Sequence, residues 1–290
     1  MHPRIGATAV ACAALLTTGG FLSSTAATAG AAPTNGPLGS PCTPAGLKTL
    51  HHGVLTLGAD DPLYEPWYAD NNPTNGKGFE DAVAYAVAAE LGFNKSDVHW
   101  VRVTFNNAIA PGPKTFDYDL DEFSIDAQRR QAVDFSTPYY TVHEAIVGLA
   151  GSAAAKAHTL AAVRQLQLGA QIGTTDYTTI VDQIRPTKSP RIYNSNSDAI
   201  EALEDGQIQG LVVDLPTAFE ITSGEAKGTV IIGQLKSVPG SPEQFGILLD
   251  KGSPLTACVD KAVQGITVDG ALAKLTTKWL AEVGSAPVLR

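Results

Sequence analysis

Positive charge is in short supply in this chain. Twenty Lys and Arg stand against 29 Asp and Glu, a formal net charge of −9 at pH 7. The basic residues are scattered, with no cationic stripe to neutralise phosphates, which excludes nucleic acid as a partner. His51 and His52 are adjacent but belong to no cluster at metal-ligand spacing, so neither a metal nor any other cofactor is expected. The chain has no GxSxG elbow, no HExxH helix and no Walker loop, and GKGFED (Gly76 to Asp81) lacks the third Gly of a dinucleotide fingerprint. After Leu22 no apolar run approaches the length that spans a bilayer.

What the chain does have is apolar bulk, 44% of 290 residues, enough to bury one large core or two of ordinary size. It starts with two basic residues (His2, Arg4), a small-residue apolar run (Ile5 to Leu22) and AATAGAAP (Ala26 to Pro33). That order reads as a signal peptide over 1–31, cleaved after Ala29 or Ala31, and implies export from the cytoplasm. The alternative, an anchor helix, is disfavoured because the run is short and rich in Gly, Thr and Ala. Of the 3 cysteines, Cys12 leaves with the signal, and Cys42 and Cys258 remain in an oxidising compartment. A disulfide between them is the natural reading, two separate thiols the alternative. Neither Cys12 nor Cys42 sits in a lipobox context. Residues 32–45, rich in Pro, Gly and Ser, read as a mobile leader.

Strand and helix signals alternate through the rest, as in an α/β protein. Gly53 to Ala59 reads as a strand, and Phe79, Ala82, Val83, Ala86, Val87 and Leu91 recur at helical spacing before Gly92. Val101, Val103 and Phe105 alternate with polar residues as on a half-buried strand. Further strands are expected at Leu168 to Ile172 and Leu211 to Val213. Helices are expected at Thr175 to Ile184, from a cap at Ser197 to Gly206, from Pro254 to Ile266, and over the apolar stripe Leu272, Leu275, Trp279 and Leu280.

Ser124 to Tyr140 read SIDAQRRQAVDFSTPYY, in which a guanidinium, Arg129, follows a Ser by five residues. Its planar fork of donors matches the two oxygens of a carboxylate. The stretch resembles the signature of the family 3 extracellular solute-binding proteins, the polar amino acid receptors of ABC importers. The resemblance continues, in the family's order, through LTLGADDPLYEPW (Leu55 to Trp67), GFEDA (Gly78 to Ala82), LGAQIGTTDY (Leu168 to Tyr177), DAIEALEDGQIQGLVVD (Asp198 to Asp214) and EQFGILLDKGSPL (Glu243 to Leu255). It implies a two-lobe α/β fold of the type II periplasmic-binding-protein kind, with the second lobe inserted in the first through a two-segment hinge. Lobe one would hold 46–143 and 236–290, lobe two 144–235, with crossovers near Thr141 to Gly148 and Thr229 to Val238.

The resemblance also implies a binding set of Asp60, Tyr64, Phe105, Glu122, Phe123, Ser124, Arg129, Gln171, Thr174, Thr175 and Asp214. Arg129 and Ser124 would take the ligand carboxylate, helped by Gly173, Thr174 and Thr175, which follow a strand and open a helix. Asp214, at the end of GLVVD, would take the ammonium. Without the resemblance, GTT and Asp214 read equally as helix caps. Tyr64 and Phe105 match positions that hold the ligand side chain between rings, whereas Trp67 reads as core. Two departures add acid: Glu122 stands where many members carry a small or hydroxyl residue, and Asp126 where they carry Thr. The implied protein is a monomeric, extracytoplasmic, non-enzymatic receptor of a polar amino acid, a cationic one on the excess of acids in the pocket, working with a membrane permease. The alternatives are a dehydratase of the cyclohexadienyl or arogenate kind, with Glu122 as acid, and a stand-alone sensor.

Overall fold

The computed structural model describes residues 41–237, 240, 242–281 and 286–290. The expected signal peptide lies outside them, as do most of the leader and Val238 at the end of the second crossover. In chain order the strands are β1 (Leu55–Ala59), β2 (Val98–Arg102), β3 (Tyr118–Asp119), β4 (Val133–Val142), β5 (Glu144–Leu149), β6 (Leu168–Gln171), β7 (Arg191–Tyr193), β8 (Gly210–Asp214), β9 (Thr229–Gln234) and β10 (Glu243–Asp250). The helices are α1 (Phe79–Glu90), α2 (Phe105–Ile109), α3 (Leu160–Val163), α4 (Thr175–Thr179), α5 (Asn196–Glu204), α6 (Leu215–Glu220), α7 (Thr256–Val268) and α8 (Ala271–Trp279).

The strands form two five-stranded sheets, β2-β1-β3-β10-β4 in lobe one and β7-β6-β8-β5-β9 in lobe two. In lobe one β1 runs parallel to β2 and β3, while β10 returns antiparallel to β3 and β4. In lobe two β6 is parallel to β7 and β8, and β5 is antiparallel to β8 and β9. Lobe two is an insertion between β4 and β10. The chain crosses out at His143 and returns between Gln234, the end of β9, and Glu243, the start of β10.

The alternation of side chains explains why both faces of the second sheet are covered. Ala145 and Val147 of β5 and Leu211 and Val213 of β8 pack into one apolar cluster, Ile146 and Val212 into the other. In lobe one α1 buries Phe79, Val83, Ala84, Val87 and Ala88 against β1 and α7; of the face expected from spacing, Phe79, Val83, Val87 and Leu91 are buried, whereas Ala82 and Ala86 are half-buried and Ala84 and Ala88 point inward instead. Trp67 belongs to this core, edge-on to Tyr140 and Phe245.

Three expectations are corrected. The alternation at Val101, Val103 and Phe105 runs past the end of a strand: β2 stops at Arg102, paired with Ala59, and Phe105 opens α2. The cap of α5 is Ser195, whose hydroxyl accepts from the Asp198 N–H at 3.1 Å, and not Ser197. The final residues, expected in lobe one, lie on lobe two: Gln234 N–H donates to Pro287 O (2.8 Å), Leu289 N–H to Gln234 O (2.9 Å), and Leu289 is buried there. The described end of the leader is also fixed in place. Cys42 is buried and bonded to Cys258 on α7, with Cα atoms 5.3 Å apart.

Candidate functional site

The strands of both sheets end at one cleft. Asp60 follows β1, Asp121 and Glu122 follow β3, Gln171 closes β6 and Asp214 closes β8, so the carboxyl ends of four strands deliver polar side chains to the same space. The cleft is narrow, with a cavity volume of about 30 Å³, and is lined by Asp60, Tyr64, Phe105, Asp121, Glu122, Arg129, Gln171, Thr174, Thr175, Asp176, Asn196 and Asp214. Nine of the eleven residues expected from sequence are among them. Ser124 lines an adjoining cavity of about 240 Å³ at the crossovers. Phe123 lines neither; it is fully buried beneath Phe105, their rings stacked at 5.1 Å. Asp121, Asp176 and Asn196 were not foreseen.

Arg129 lies over the Phe105 ring, its guanidinium carbon 5.2 Å from the centroid. One terminal nitrogen donates to Ser124 O (2.8 Å) and the other to Gly173 O (3.0 Å), while Nε faces Asp126 at 3.2 Å. Each terminal nitrogen keeps a second N–H. Asp126 is spent on this arrangement: its other oxygen accepts the Gln128 and Arg129 N–H groups at 2.7 and 2.9 Å. It stands outside the cleft, so its expected contribution of charge to the ligand pocket is not observed.

Lobe two approaches this corner through Gly173. Its φ is +81°, and a Cβ there would sit 2.4 Å from the Asn106 side-chain oxygen, so the close approach of the lobes requires Gly. Thr174 caps α4, its hydroxyl accepting from Tyr177 N–H (3.4 Å) and donating to Gln171 O (2.8 Å). Thr175 and Ser124 hydroxyls meet at 3.1 Å, and Ser124 also donates to Glu243. Across the cleft the Tyr64 hydroxyl meets the Ser197 hydroxyl (3.1 Å) and accepts from its N–H (3.2 Å).

Asp214 precedes α6 without capping it. One of its oxygens is buried and has no partner among the described residues, as is true of Asp121, Asp176 and Asn196. The cap reading of Asp214 therefore fails, and its carboxyl is aimed at the cleft. Glu122 adopts φ +51°, a left-handed conformation that costs a side-chain-bearing residue about 1 kcal/mol. The buried Glu80 carboxyl holds it there by accepting its N–H at 2.8 Å, while the Thr217 hydroxyl donates to Glu122 Oε2 at 2.9 Å and receives Trp67 Nε1–H at 2.8 Å.

Five carboxyl groups thus face one guanidinium. Burial pushes Glu122, Asp121, Asp176 and Asp214 well above the ordinary carboxylate range, and each is raised further by the charges of its neighbours. Asp60 is raised by burial, opposed by the Asp61 and Phe105 N–H groups that it accepts at 2.7 and 3.2 Å. The arrangement is a desolvated cleft rich in carboxyl groups with one corner of donors. Among the described residues no group of acids, His or Cys is placed to hold a metal, and no helix is long and apolar enough to cross a membrane.

The chain is 25% identical over 238 residues to the L-cystine-binding protein TcyJ of Escherichia coli (strain K12), covering 80% of this chain and 84% of that one. To the arginine-binding periplasmic protein of Mannheimia haemolytica it is 25% identical over 246 residues, covering 81% and 97%. Among solved structures, an ancestral arginine-binding protein bound to arginine superposes with a TM-score of 0.64 at 26% identity, covering 78% of this chain and 97% of that one. The family model of the bacterial extracellular solute-binding proteins, family 3, matches residues 55–282, and with the two-lobed architecture and the interlobe cleft this makes the chain a member of that family.

Proposed function

We propose that this protein is the extracytoplasmic receptor of an ABC importer and closes its lobes over an amino acid with a cationic side chain. The observation that carries the reading is the charge of the cleft: Asp60, Asp121, Glu122, Asp176 and Asp214 against Arg129 alone. Burying five carboxyls costs less when the ligand brings positive charge. The two spare N–H groups of Arg129, with the backbone of Thr174 and Thr175, receive the α-carboxylate. The unpartnered oxygen of Asp214 takes the α-ammonium, and Tyr64 and Phe105 enclose an aliphatic stem whose cation reaches Asp60, Asp121 and Glu122. The receptor acts as a monomer that presents its closed form to a permease. Calorimetric titration of the mature protein with arginine, lysine, ornithine, glutamine and glutamate tests this. A basic amino acid should bind at least about thirtyfold tighter than glutamate, equivalent to about 2 kcal/mol; glutamate binding tightest would overturn it.

One feature favours a second reading. Glu122 is a half-buried, desolvated carboxyl held by Thr217 in the cleft, which suits a general acid of the dehydratase kind. Turnover of prephenate or arogenate by the mature protein decides between them.

A further inference from the structure

One side chain of lobe two is lodged in lobe one. Thr217 is the third residue of α6 and 3% exposed, and its hydroxyl sits between two lobe-one groups: it accepts Trp67 Nε1–H at 2.8 Å and donates to Glu122 Oε2 at 2.9 Å. Neither Thr217 nor Trp67 is among the residues that line the cleft, whereas Glu122 is. Trp67 cannot follow a moving partner. It is 1% exposed in the core of its lobe, with the rings of Phe79, Tyr140 and Phe245 at centroid distances of 6.0, 5.8 and 5.6 Å.

The chemistry of the three groups fixes the sense of both bonds. An indole N–H can only donate, so it takes a lone pair of the Thr217 oxygen. The hydroxyl has one proton, and among the described residues it makes no third hydrogen bond. That proton therefore points at Glu122 Oε2 and commits this oxygen as an acceptor, leaving Oε1 for the cleft. Glu122 is thus held from two sides that can part. Its backbone, at φ +51°, is fixed within lobe one by the Glu80 carboxyl, which accepts its N–H at 2.8 Å. Its side chain is aimed from lobe two. Separation of the lobes breaks the Thr217 bonds and spares the Glu80 bond, so the acid stays in place but loses its aim.

We propose that Thr217, with Trp67 behind it, is a positioning residue that makes charge selection by Glu122 a property of the closed form. With the lobes together, Oε1 is directed at the side-chain end of the ligand. With the lobes apart, the carboxyl turns among its rotamers in water, where a cation gains little from it. The selection step rests on the cationic-ligand reading above, whereas the relay from Trp67 through Thr217 to Glu122 does not.

Two measurements test this. In the proton–nitrogen correlation spectrum of the mature protein, the Trp67 indole signal, identified by its loss in Trp67→Phe, reports on the relay. It should move upfield in Thr217→Val, which keeps the shape of Thr without the hydroxyl, and stay near its wild-type position in Thr217→Ser. A signal unmoved by Thr217→Val, both without ligand and with lysine at saturation, overturns the relay. Calorimetry then compares lysine with glutamine. Thr217→Val should lower the preference for lysine about tenfold, the scale of one hydrogen bond to a charged group, and Thr217→Ser should restore it. Glu122→Gln has no charge left to aim, so adding Thr217→Val to it should change the ratio by less than about twofold. Equal losses for lysine and glutamine overturn the positioning role, as does an undiminished effect of Thr217→Val in the Glu122→Gln background. If Thr217→Val does not fold, Trp67→Phe, which frees the hydroxyl to turn, should lower the same ratio, and an unchanged ratio overturns the role. Failure of lysine, arginine and ornithine to bind the wild type refutes the cationic-ligand reading, and the selection step with it, while the indole signal still decides whether the relay exists.

Discussion

Replacing Glu80 by Gln should flatten part of the fall in stability with rising pH. Glu80 is the second residue of α1 and fully buried; its Oε1 accepts the Tyr139 hydroxyl and the Glu122 N–H, and its Oε2 has no partner among the described residues. Burial lifts its pKa to about 7. A carboxyl raised in the folded state keeps its proton where the unfolded chain has lost it. The associated stability is therefore complete below the unfolded value, near 4.5, and is lost as pH climbs through about 7. A shift of roughly two and a half units corresponds to about 3 kcal/mol. Gln keeps the carbonyl that accepts both hydrogen bonds and does not titrate. Its extra amide donor lacks an acceptor at a cost of about 1 kcal/mol that is independent of pH and cancels from the slope.

The assay is equilibrium unfolding in urea of wild type and Glu80→Gln at about pH 4.5, 6 and 8. Trp67, Trp100 and Trp279, the 3 tryptophans of the chain, all lie in or against the lobe-one core, so their fluorescence reports on the lobe that holds Glu80. The difference in stability, variant minus wild type, should grow by about 3 kcal/mol across the series. Asp119, Asp121 and Glu122 each feel the Glu80 charge, and its removal relieves them in the same direction. Parallel pH profiles, agreeing within about 0.5 kcal/mol throughout, would refute the assignment of a buried titrating carboxyl to Glu80.

Arg129→Ala should weaken ligand binding ten- to a hundredfold or more, the loss of a bidentate charge-assisted contact of about 1.5–3 kcal/mol, with unfolding of lobe one little changed; unaltered affinity by calorimetry removes Arg129 from the site. Reduction of the Cys42–Cys258 bond, which closes a loop of 216 residues, should destabilise the protein by up to about 5 kcal/mol. Intact mass with and without reductant checks that the bond is present, and equal urea midpoints in the two states would contradict its role. Glu122→Gln should weaken lysine at least about tenfold more than glutamine, a difference of about 1.4 kcal/mol; equal losses for the two ligands would place the Glu122 charge away from the ligand's end.

Much of the fold is legible in sequence because its signals are local. The helical spacing of Phe79, Val83 and Val87 in α1 and the apolar run Leu211 to Val213 in β8 need no knowledge of what packs on them. Errors arise where a distant partner decides. Val103 and Phe105 keep a strand's alternation, yet the Phe105 N–H turns to the Asp60 carboxyl, 45 residues away, and opens a helix. In SNSD both serines suit a cap; Ser195 caps, and Ser197 instead meets Tyr64, 133 positions earlier. The return of residues 286–290 to lobe two rests on hydrogen bonds to Gln234 that no periodicity announces. The cleft follows the same division. Residues such as Arg129 and Asp214 stand in motifs, and both line the cleft. Asp176 and Asn196 fall in the first turns of α4 and α5, where an acid or amide passes for an ordinary partner of the helix dipole.

Glu122 shows why the identity of a residue in sequence is not yet its chemistry. The sequence places an acid after β3; it says nothing of the left-handed backbone that turns it, of Glu80 holding that turn by a side chain from α1, or of Thr217 and Asp214 meeting it from the other lobe. On a free surface the same residue would carry a full negative charge at neutral pH. Enclosed among Glu80, Asp176 and Asp214, it is pushed towards its neutral form, so an acid that composition counts as a charge becomes a hydrogen-bond donor. The net charge that steers a ligand to the cleft and the charge the ligand meets inside it are therefore different quantities, separated by the protons that burial retains.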